Sequence, residues 1–385
     1  MLTKNINFIN FKNKNKNKKI ELKLKSILKK NDQLIQSLRN TYKDSYSLKI
    51  FKSFNRNFDN RIIGMGGSTL GAQAIHDFLK EKIRKIFYFV DNLQPKQKIS
   101  SNKPFNNLII SKSGNTIETI VNFNTLIKKK DNNLFITENK NSYLKKLANK
   151  LKCEVVDHNN YIGGRYSVLS EVGMLPSELM GFKPENFRQL NNLIKNKKFM
   201  DALIVNVSNI ISFLKNKKFN SVIINYDESS TNLFNWYQQL VAESLGKNKI
   251  GILPIVSNMP KDNHSVMQLY LDGFQNNFFT FFFVKEENSF KIKNKTIFSE
   301  YKYLKNKNIN QIMYAQMKAT ENVFRKKKIP FRTFEINKRN EKTLGELFCF
   351  FMLETILIGK CLNINPFDQP AVELIKTETK KILTK

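Results

Sequence analysis

The stretch Arg61-Ile62-Ile63-Gly64-Met65-Gly66-Gly67-Ser68-Thr69 is the first clear indication of an α/β fold, because an apolar run ends there in a glycine turn and a helical pattern follows through Leu79. Glycines at such a turn let the backbone approach a ligand, and the free amides at a helix start attract an anion. A plain strand-to-helix turn explains the same glycines. The dinucleotide-binding pattern is not met, because Thr69 stands where that pattern needs another glycine.

The alternation of apolar runs and helical patterns continues along the chain. The runs that predict buried strands are residues 86–90, 108–110, 134–136, 155–156, 222–225, 250–256 and 278–284. The segments that predict helices are residues 69–79, the stretch that ends at 127, and residues 232–245, 344–358 and 370–385. This order predicts an α/β fold with two tandem doubly wound parallel sheets and helical N- and C-terminal segments.

The length of 385 residues exceeds that of a usual single domain and indicates two globular units. A tract rich in Lys and Asn at residues 13–19 precedes a helical pattern, so we interpret residues 1–46 as a basic helical arm. The polar, lysine-rich residues 184–200 suggest where the units meet. We therefore predict a first α/β unit over 47–190, a second over 191–365 and a C-terminal helix over 366–385.

The net charge of +33, from 65 Lys and Arg against 32 Asp and Glu, would ordinarily indicate a nucleic acid or an anionic surface as partner. Only nine of the 65 are arginines, the residue that base readout and bidentate phosphate contacts favour. The lysines are spread among Asn, Ile and Phe, which are all residues of A- and T-rich codons. We therefore expect no nucleic-acid partner, and an anionic small substrate suits the same charge.

Several other classes of protein are disfavoured. The three cysteines form no CxxC pair, and no His, Cys or carboxylate pair has ligand spacing, so we expect neither a disulfide framework nor a metal. The longest apolar runs, such as residues 347–353, fall far short of the roughly 20 residues that cross a bilayer. The first residues fit neither a transit nor a secretory peptide. We expect a cytoplasmic protein with no membrane partner.

The loop Ser111-Lys112-Ser113-Gly114-Asn115-Thr116 lies between a predicted buried strand and a helix start. Hydroxyl donors, free helix N-terminal amides and the positive end of the helix dipole are the groups that cradle a phosphate. Capping of the helix by Asn115, with Glu118 three residues on, is a second interpretation that is compatible with the first. A P-loop is excluded, because the GxxxxGK[ST] spacing does not occur.

Three further side chains are candidates for chemistry. Arg165 follows two glycines, where a guanidinium can be held close to a ligand as a fixed fork. Glu243 lies four residues after Gln239 on a predicted helix, so the two side chains share a face. His264 lies in a polar turn before an apolar helix. Each also has an ordinary interpretation, as a solvated arginine, a solvent-facing glutamate or a structural histidine.

Taken together, these segments resemble the phosphoglucose isomerase family, which is built from two sugar-isomerase (SIS) domains of flavodoxin-like fold. The matching blocks follow the family's order along most of the chain. They are residues 64–68, 111–119, 163–167, 243–247, 264–265 and 365–376.

The resemblance implies the interconversion of glucose 6-phosphate and fructose 6-phosphate through an enediol(ate), with four catalytic residues and no cofactor. Glu243 would be the base that moves a proton between C2 and C1, and Arg165 would stabilise the developing enediolate. His264 and Lys376 would assist ring opening. The residues expected to bind the sugar phosphate or line its site are Ser68, Ser111, Lys112, Ser113, Thr116, Gly164, Gln239 and Gln369. The resemblance also implies a homodimer in which His264 acts in the partner's site.

Alternatives to the function implied by the resemblance remain open. One is a dual phosphoglucose and phosphomannose isomerase, which activity on mannose 6-phosphate would reveal. Another is a sugar-phosphate-binding regulatory protein without chemistry, suggested by the short chain and by departures from the family's pattern at Leu245, Asn263 and Pro370-Ala371. The presence of all four catalytic residues argues against it, because a sensor has no need of them. Nucleic-acid binding ranks last.

Overall fold

The computed structural model describes residues 1–54, 57–96 and 103–384. Within these ranges the chain forms two five-stranded sheets. The strands are β1 (Ile6–Ile9), β2 (Asp59–Gly64), β3 (Phe87–Val90), β4 (Phe105–Ile110), β5 (Asn132–Thr137), β6 (Glu154–Asp157), β7 (Asn220–Asn225), β8 (Leu253–Asn258), β9 (Asn277–Val284) and β10 (Phe331–Ile336). The α-helices in the same ranges are α1 (Lys18–Lys30), α2 (Gln33–Ser37), α3 (Leu70–Phe78), α4 (Ile117–Leu126), α5 (Tyr143–Lys150), α6 (Glu171–Leu179), α7 (Pro184–Phe187), α8 (Leu190–Leu193), α9 (Lys197–Lys215), α10 (Thr231–Leu245), α11 (Met267–Asp272), α12 (Ile309–Lys326), α13 (Glu341–Cys361) and α14 (Val372–Leu383).

The first sheet has the strand order β3-β2-β4-β5-β6, and each neighbouring pair is parallel. Helices α3, α4 and α5 connect its strands. All six residues of β2 and of β4 are buried, as expected for central parallel strands covered on both faces. Neighbours on β2 pack into different apolar clusters, Ile62 into one and Ile63 into the other. The predicted parallel sheet wrapped by helices is confirmed.

The second sheet has the order β1-β10-β9-β7-β8 and is parallel except at one edge, where β1 runs antiparallel to β10. Strand β9 explains why this sheet is covered on both faces. Phe278 and Phe282 pack into one apolar cluster, whereas Phe279, Phe281 and Phe283 pack into another. Because successive side chains of a strand point to opposite faces, a strand that is buried at every residue requires a core on each side.

Residues 1–46 contain helices, as predicted, and also strand β1, which the sequence did not indicate. Ile6 is fully buried opposite Ile336 of β10, and α1 buries Ile20, Leu24 and Ile27. The start of the chain is therefore packed into the second sheet. The exact bounds predicted for the units, at 46/47, 190/191 and 365/366, stay a prediction.

Helix α13 is buried at every residue from 343 to 359, as is typical of a helix that is apolar all round. It carries two buried carboxylates, Glu346 and Glu354, and Glu354 pairs with Arg332 of β10. Tyr237 of α10 donates to the other oxygen of that carboxylate at 3.4 Å. A buried ion pair needs such further hydrogen bonds to offset its desolvation, and here they also fix the position of α10 against the sheet.

Most predicted elements of the second unit lie within a few residues of their expected bounds, but one strand is displaced. The run at 250–256 predicts a strand, whereas β8 spans Leu253–Asn258. The earlier residues form a tight turn, in which Lys247 bridges to Ile250 and the intervening Asn248 and Lys249 have positive φ. Among the described residues, no helix combines the length and the apolar character needed to cross a bilayer.

Candidate functional site

The loops after β2 and β4 meet at the carboxyl edge of the first sheet. These strands are neighbours, with Gly64 in register with Ile110. The chain passes from β2 to β3 on one side and then to β4 on the other, so the loops flank the point where the strand order reverses. In open α/β sheets ligands bind at such a point.

The loop after β4 presents a cluster of hydroxyl groups to this crevice edge. The Oγ atoms of Ser111 and Thr116 lie 2.8 Å apart, and Ser111 also accepts from the amide of Gly114 at 3.2 Å. Gly114 has φ +65°, and a Cβ there would lie 2.2 Å from Oγ of Ser142, so only glycine fits this turn. The loop is thus held in one shape by its own hydroxyls.

The prediction that Asn115 caps the helix after this loop is wrong. Thr116 is the N-cap of α4, and its side chain makes no capping hydrogen bond. Asn115 instead accepts from the amide of Tyr143 at 2.9 Å. Because no side chain in the described part of the chain caps α4, its first amides and the positive end of its dipole are available to an anion.

The side chain of Lys112 contacts residues outside its own loop and not the hydroxyl groups of that loop. Its Nζ donates to the carbonyl of Asn160 at 2.9 Å and lies 3.6 Å from Glu138. Burial lowers the pKa of this ammonium, and Glu138 partly opposes that shift. The contribution of Lys112 to the loop is therefore its backbone amide and a nearby positive charge.

Arg165 connects the two units of the molecule. It lies in a 3₁₀ turn, Gly164–Leu169, and is 3% exposed. A Cβ on Gly67 would lie 2.2 Å from the carbonyl carbon of Gly164, so the two glycine turns pack backbone to backbone. Trp236 of α10 donates to the carbonyl of Arg165 at 3.1 Å. The arginine is therefore fixed beside the first glycine turn and against a helix of the second unit.

The carboxylate of Glu243, near the end of α10, is held between two donors. Gln239 donates to its Oε1 at 3.0 Å, one helical turn away as the sequence predicts, and Arg165 donates to its Oε2 at 3.3 Å. The side chain of Glu243 is 28% exposed. A carboxylate that is oriented on one side and open on the other has the geometry of a general base.

The segment between α13 and α14 forms the remaining wall. Gln369 accepts from Nη1 of Arg165 at 2.6 Å, and the carbonyls of Pro366 and Asp368 accept from Nη2. Lys247 pairs with Asp368 at 2.8 Å and so ties this segment to the end of α10. Ser68, in the turn Gly66–Ser68, is half-buried beside the turn that carries Gly164.

Two of the predicted catalytic residues lie apart from this cluster. His264 is exposed in the turn Lys261–His264 that follows β8. The start of α10 contacts the end of β8, since Thr231 donates to Asn258 at 3.2 Å. Glu243 is twelve residues further along α10, about 18 Å at 1.5 Å per residue. The histidine and the glutamate therefore lie at opposite ends of this helix.

Lys376 is also outside the cluster. It lies on α14, which has no buried residue, and its Nζ pairs with Glu373 at 2.5 Å. Helix α14 begins only three residues after Gln369, so the lysine is connected to the site wall by a short piece of chain.

Sequence reasoning missed Ser244 and Tyr166, which contact Arg165 or each other inside the protein. Both stand directly beside predicted residues, in the blocks 163–167 and 243–247, and this adjacency was the available signal. Among the described residues, no group of three His, Cys, Asp or Glu side chains is placed to hold a metal ion. The predictions of no metal and no cofactor stay predictions.

Comparison with known proteins places these features in one family. Residues 14–256 match the family model described as phosphoglucose isomerase. A glucose-6-phosphate isomerase of Methanocaldococcus jannaschii is 34% identical over 387 residues, covering 93% of this chain and 91% of the relative. One from Campylobacter jejuni is 32% identical and covers 84% of each chain.

Solved structures agree on the fold. A hypothetical protein from Thermus thermophilus superposes with a TM-score of 0.84 at 23% identity and covers 95% of both chains. A glucose-6-phosphate isomerase from Chlamydia trachomatis has a TM-score of 0.65 at 19% identity, covering 95% of this chain and 73% of its own. At these identities the likeness concerns the two-sheet architecture alone.

Proposed function

This chain belongs to the phosphoglucose isomerase family, and on that premise we propose that it interconverts glucose 6-phosphate and fructose 6-phosphate with the residues of the site described above. The observation that carries the proposal is the contact between Glu243 and Arg165 beside the hydroxyl loop. It joins a base, a fixed cation and an anion site around one crevice.

The phosphate of the substrate binds at the loop 111–116. Ser111, Ser113 and Thr116 donate hydroxyl hydrogen bonds, and the Lys112 amide joins the free amides of α4. Ser68 and Gly164 line the neighbouring turns. The uncapped helix start supports this role, because amides without a partner are satisfied by an anion.

The chemical step is a proton transfer within the open-chain sugar. Glu243 takes the proton from C2 of the aldose, the C2–H electron pair forms the C1–C2 double bond, and the carbonyl oxygen at C1 becomes an enediolate oxygen. Arg165 stabilises that charge. The hydroxyl proton on the C2 oxygen moves to the C1 oxygen, and the proton held by Glu243 is then delivered to C1 while the C2 oxygen becomes the new carbonyl. Gln239 orients the base by donating to its Oε1.

His264 reaches the site of a second copy of the chain in a homodimer. The exposure of His264 and its place beyond the start of α10 support this arrangement, since Glu243 lies near the other end of that helix, about 18 Å from Thr231. His264 and Lys376 then assist ring opening. We expect the enzyme in the cytoplasm, as is usual for a glycolytic enzyme.

The dimer can be tested by mixing two inactive variants. Glu243→Gln and His264→Ala homodimers are each expected to be inactive, and the mixed dimer would carry one site with both changes and one intact site. Random reassortment should therefore restore roughly a quarter of wild-type activity. No recovery in a mixture with proven subunit exchange would show that the histidine acts within its own subunit.

The reaction is tested by proton NMR with fructose 6-phosphate in D₂O. We expect glucose 6-phosphate with deuterium at C2, which reports both the product and the enediol route. Mannose 6-phosphate alongside it would establish the dual-specificity enzyme instead. Unchanged fructose 6-phosphate in a folded preparation would contradict the proposed function and favour the regulatory protein.

A further inference from the structure

All five N–H groups of the Arg165 guanidinium have acceptors in the structure. Nε donates to Ser244 at 2.8 Å, Nη1 to Glu243 and Gln369, and Nη2 to the carbonyls of Pro366 and Asp368. An arginine that stabilises an enediolate must therefore release at least one acceptor to a substrate oxygen.

Exposure indicates which acceptors give way. Ser244 and Pro366 are buried, whereas Glu243 is partly exposed and Gln369 is exposed. Asp368 is also exposed, but it accepts from Nη2 through its backbone carbonyl, and Nη2 has the carbonyl of the buried Pro366 as well. Both acceptors of Nη1 are side chains of residues that are at least partly exposed. The guanidinium thus has a fixed edge, formed by Nε and Nη2, and a working edge, formed by Nη1.

The fixed edge is closed into a ring of hydrogen bonds by Tyr166. The phenol has one proton, which it donates to the carbonyl of Pro366 at 3.2 Å, so at 2.8 Å it accepts from the hydroxyl of Ser244. Ser244 in turn accepts from Nε of Arg165, and Nη2 donates to the same Pro366 carbonyl. Burial raises the pKa of Tyr166 to about 12, so the phenol keeps its proton at neutral pH.

We propose that Ser244 is a positioning residue for the isomerisation: through Nε it fixes the plane of the Arg165 guanidinium so that Nη1 faces the forming enediolate. The proposal rests on the proposed function, because it assumes that Arg165 stabilises the charge that develops at C1. The hydroxyl of Ser244 does not touch the substrate. It restricts the rotation of the Arg165 side chain before the negative charge of the enediolate develops.

The test compares two single hydroxyl deletions in the full-length protein. Ser244→Ala removes the acceptor of Nε. Ser177→Ala is the matched control, because Ser177 is also fully buried on a helix and its Oγ has no hydrogen-bond partner among the described residues. We expect Ser244→Ala to lower kcat about tenfold to a hundredfold with KM changed less than about threefold, below the effect of losing a direct oxyanion donor. Ser177→Ala should retain wild-type kcat and KM.

A second measurement separates positioning from general damage. A five-carbon aldonate 5-phosphate carries a carboxylate where the enediolate forms, and inorganic phosphate occupies the anion loop alone. In Ser244→Ala the inhibition constant of the aldonate should rise by about the factor that kcat loses, while that of phosphate stays constant. If Ser244→Ala does not fold, Tyr166→Phe, which removes the acceptor of the Ser244 proton, takes its place. It should raise the inhibition constant of the aldonate by a smaller factor and leave that of phosphate constant.

Two results would overturn the proposal. One is Ser244→Ala kinetics equal to those of Ser177→Ala, and the other is an equal loss of affinity for aldonate and phosphate. Both leave an active wild-type enzyme. A wild-type protein that does not isomerise fructose 6-phosphate would instead overturn the proposed function, and the role of Ser244 with it.

Discussion

The two sheets of this molecule have similar open parallel topologies, yet the crevices at their carboxyl edges differ in chemistry. In the first sheet the crevice lies between β2 and β4 and carries the hydroxyls of Ser111 and Thr116 at an uncapped helix start. In the second sheet the strand order reverses between β7 and β9. Two residues beyond those strands stand Asp227 and Glu286.

Arg339 closes the crevice of the second sheet. Its Nη2 lies 2.8 Å from Asp227 and 3.1 Å from Glu286, so one guanidinium pairs with both carboxylates. A phosphate cannot replace these partners without leaving two carboxylates uncompensated. Each sheet therefore has a crevice at its carboxyl edge. The side chains that follow the strands make the first crevice an anion site and close the second crevice with ion pairs. The second unit instead contributes the far end of α10, with Glu243.

The largest expected effect tests whether the second unit supplies the catalytic base while the first binds the anion. Glu243→Gln keeps the shape of the side chain and the contact with Arg165 but removes the base, so kcat should fall by roughly 10²- to 10⁴-fold. Binding of inorganic phosphate at the first sheet should persist, as measured by competitive inhibition or calorimetry. Glu228→Gln, at an exposed carboxylate just before the same helix, is the control. Near-normal turnover in Glu243→Gln would remove the base from the second unit and break the comparison.

The next effect is on stability and concerns the closed crevice. Arg339→Ala leaves Asp227 and Glu286 facing each other, and we expect the free energy of unfolding in urea to fall by about 2 to 4 kcal/mol. That is slightly below the cost for a fully buried pair, because Arg339 is partly exposed. Activity per folded molecule should be unchanged.

Arg325→Ala is the control for this variant, since Arg325 is exposed and lies 3.7 Å from Glu321. The buried Glu321 keeps its contacts with Lys318 and Thr333 when this exposed arginine is removed, so the loss should be at most about 1 kcal/mol. Equal stability losses in the two variants would mean that the second crevice is not closed by its ion pairs.

The smallest effect concerns the hydroxyl loop of the first sheet. Replacing Ser111 by Ala and Thr116 by Val removes two neutral donors to a charged ligand, and because these hydroxyls bond each other they are together worth about 1.5 to 3 kcal/mol. We expect KM for fructose 6-phosphate to rise about tenfold to a hundredfold in steady-state assays, with a smaller change in kcat. Thr125→Val, at the far end of the same helix, should leave both constants unchanged. An unaltered KM in the double variant would place the phosphate elsewhere.

The elements with strong periodic patterns were predictable. The strands around Ile62 and Phe282, helix α10 and the two glycine turns were all indicated by local sequence, because buried parallel strands and amphipathic helices have recognisable spacing. Strand β1 was not, because four residues in a lysine- and asparagine-rich start acquire strand structure only by pairing with β10. The N-cap of α4 is Thr116 and not the expected Asn115, because the side chain of Asn115 accepts from the amide of Tyr143 at the start of another helix.

The alternation of strands and helices, the residue types of the anion loop and the spacing of Gln239 and Glu243 on one helical face follow from local sequence, because each depends on neighbours along the chain. Three further relations become visible only in the folded molecule: Arg165 of one unit contacts Glu243 of the other, Ser244 and Tyr166 hold that arginine, and His264 lies at the opposite end of α10. These relations join residues from different elements, and contacts of that kind are fixed by packing and hydrogen bonding in three dimensions.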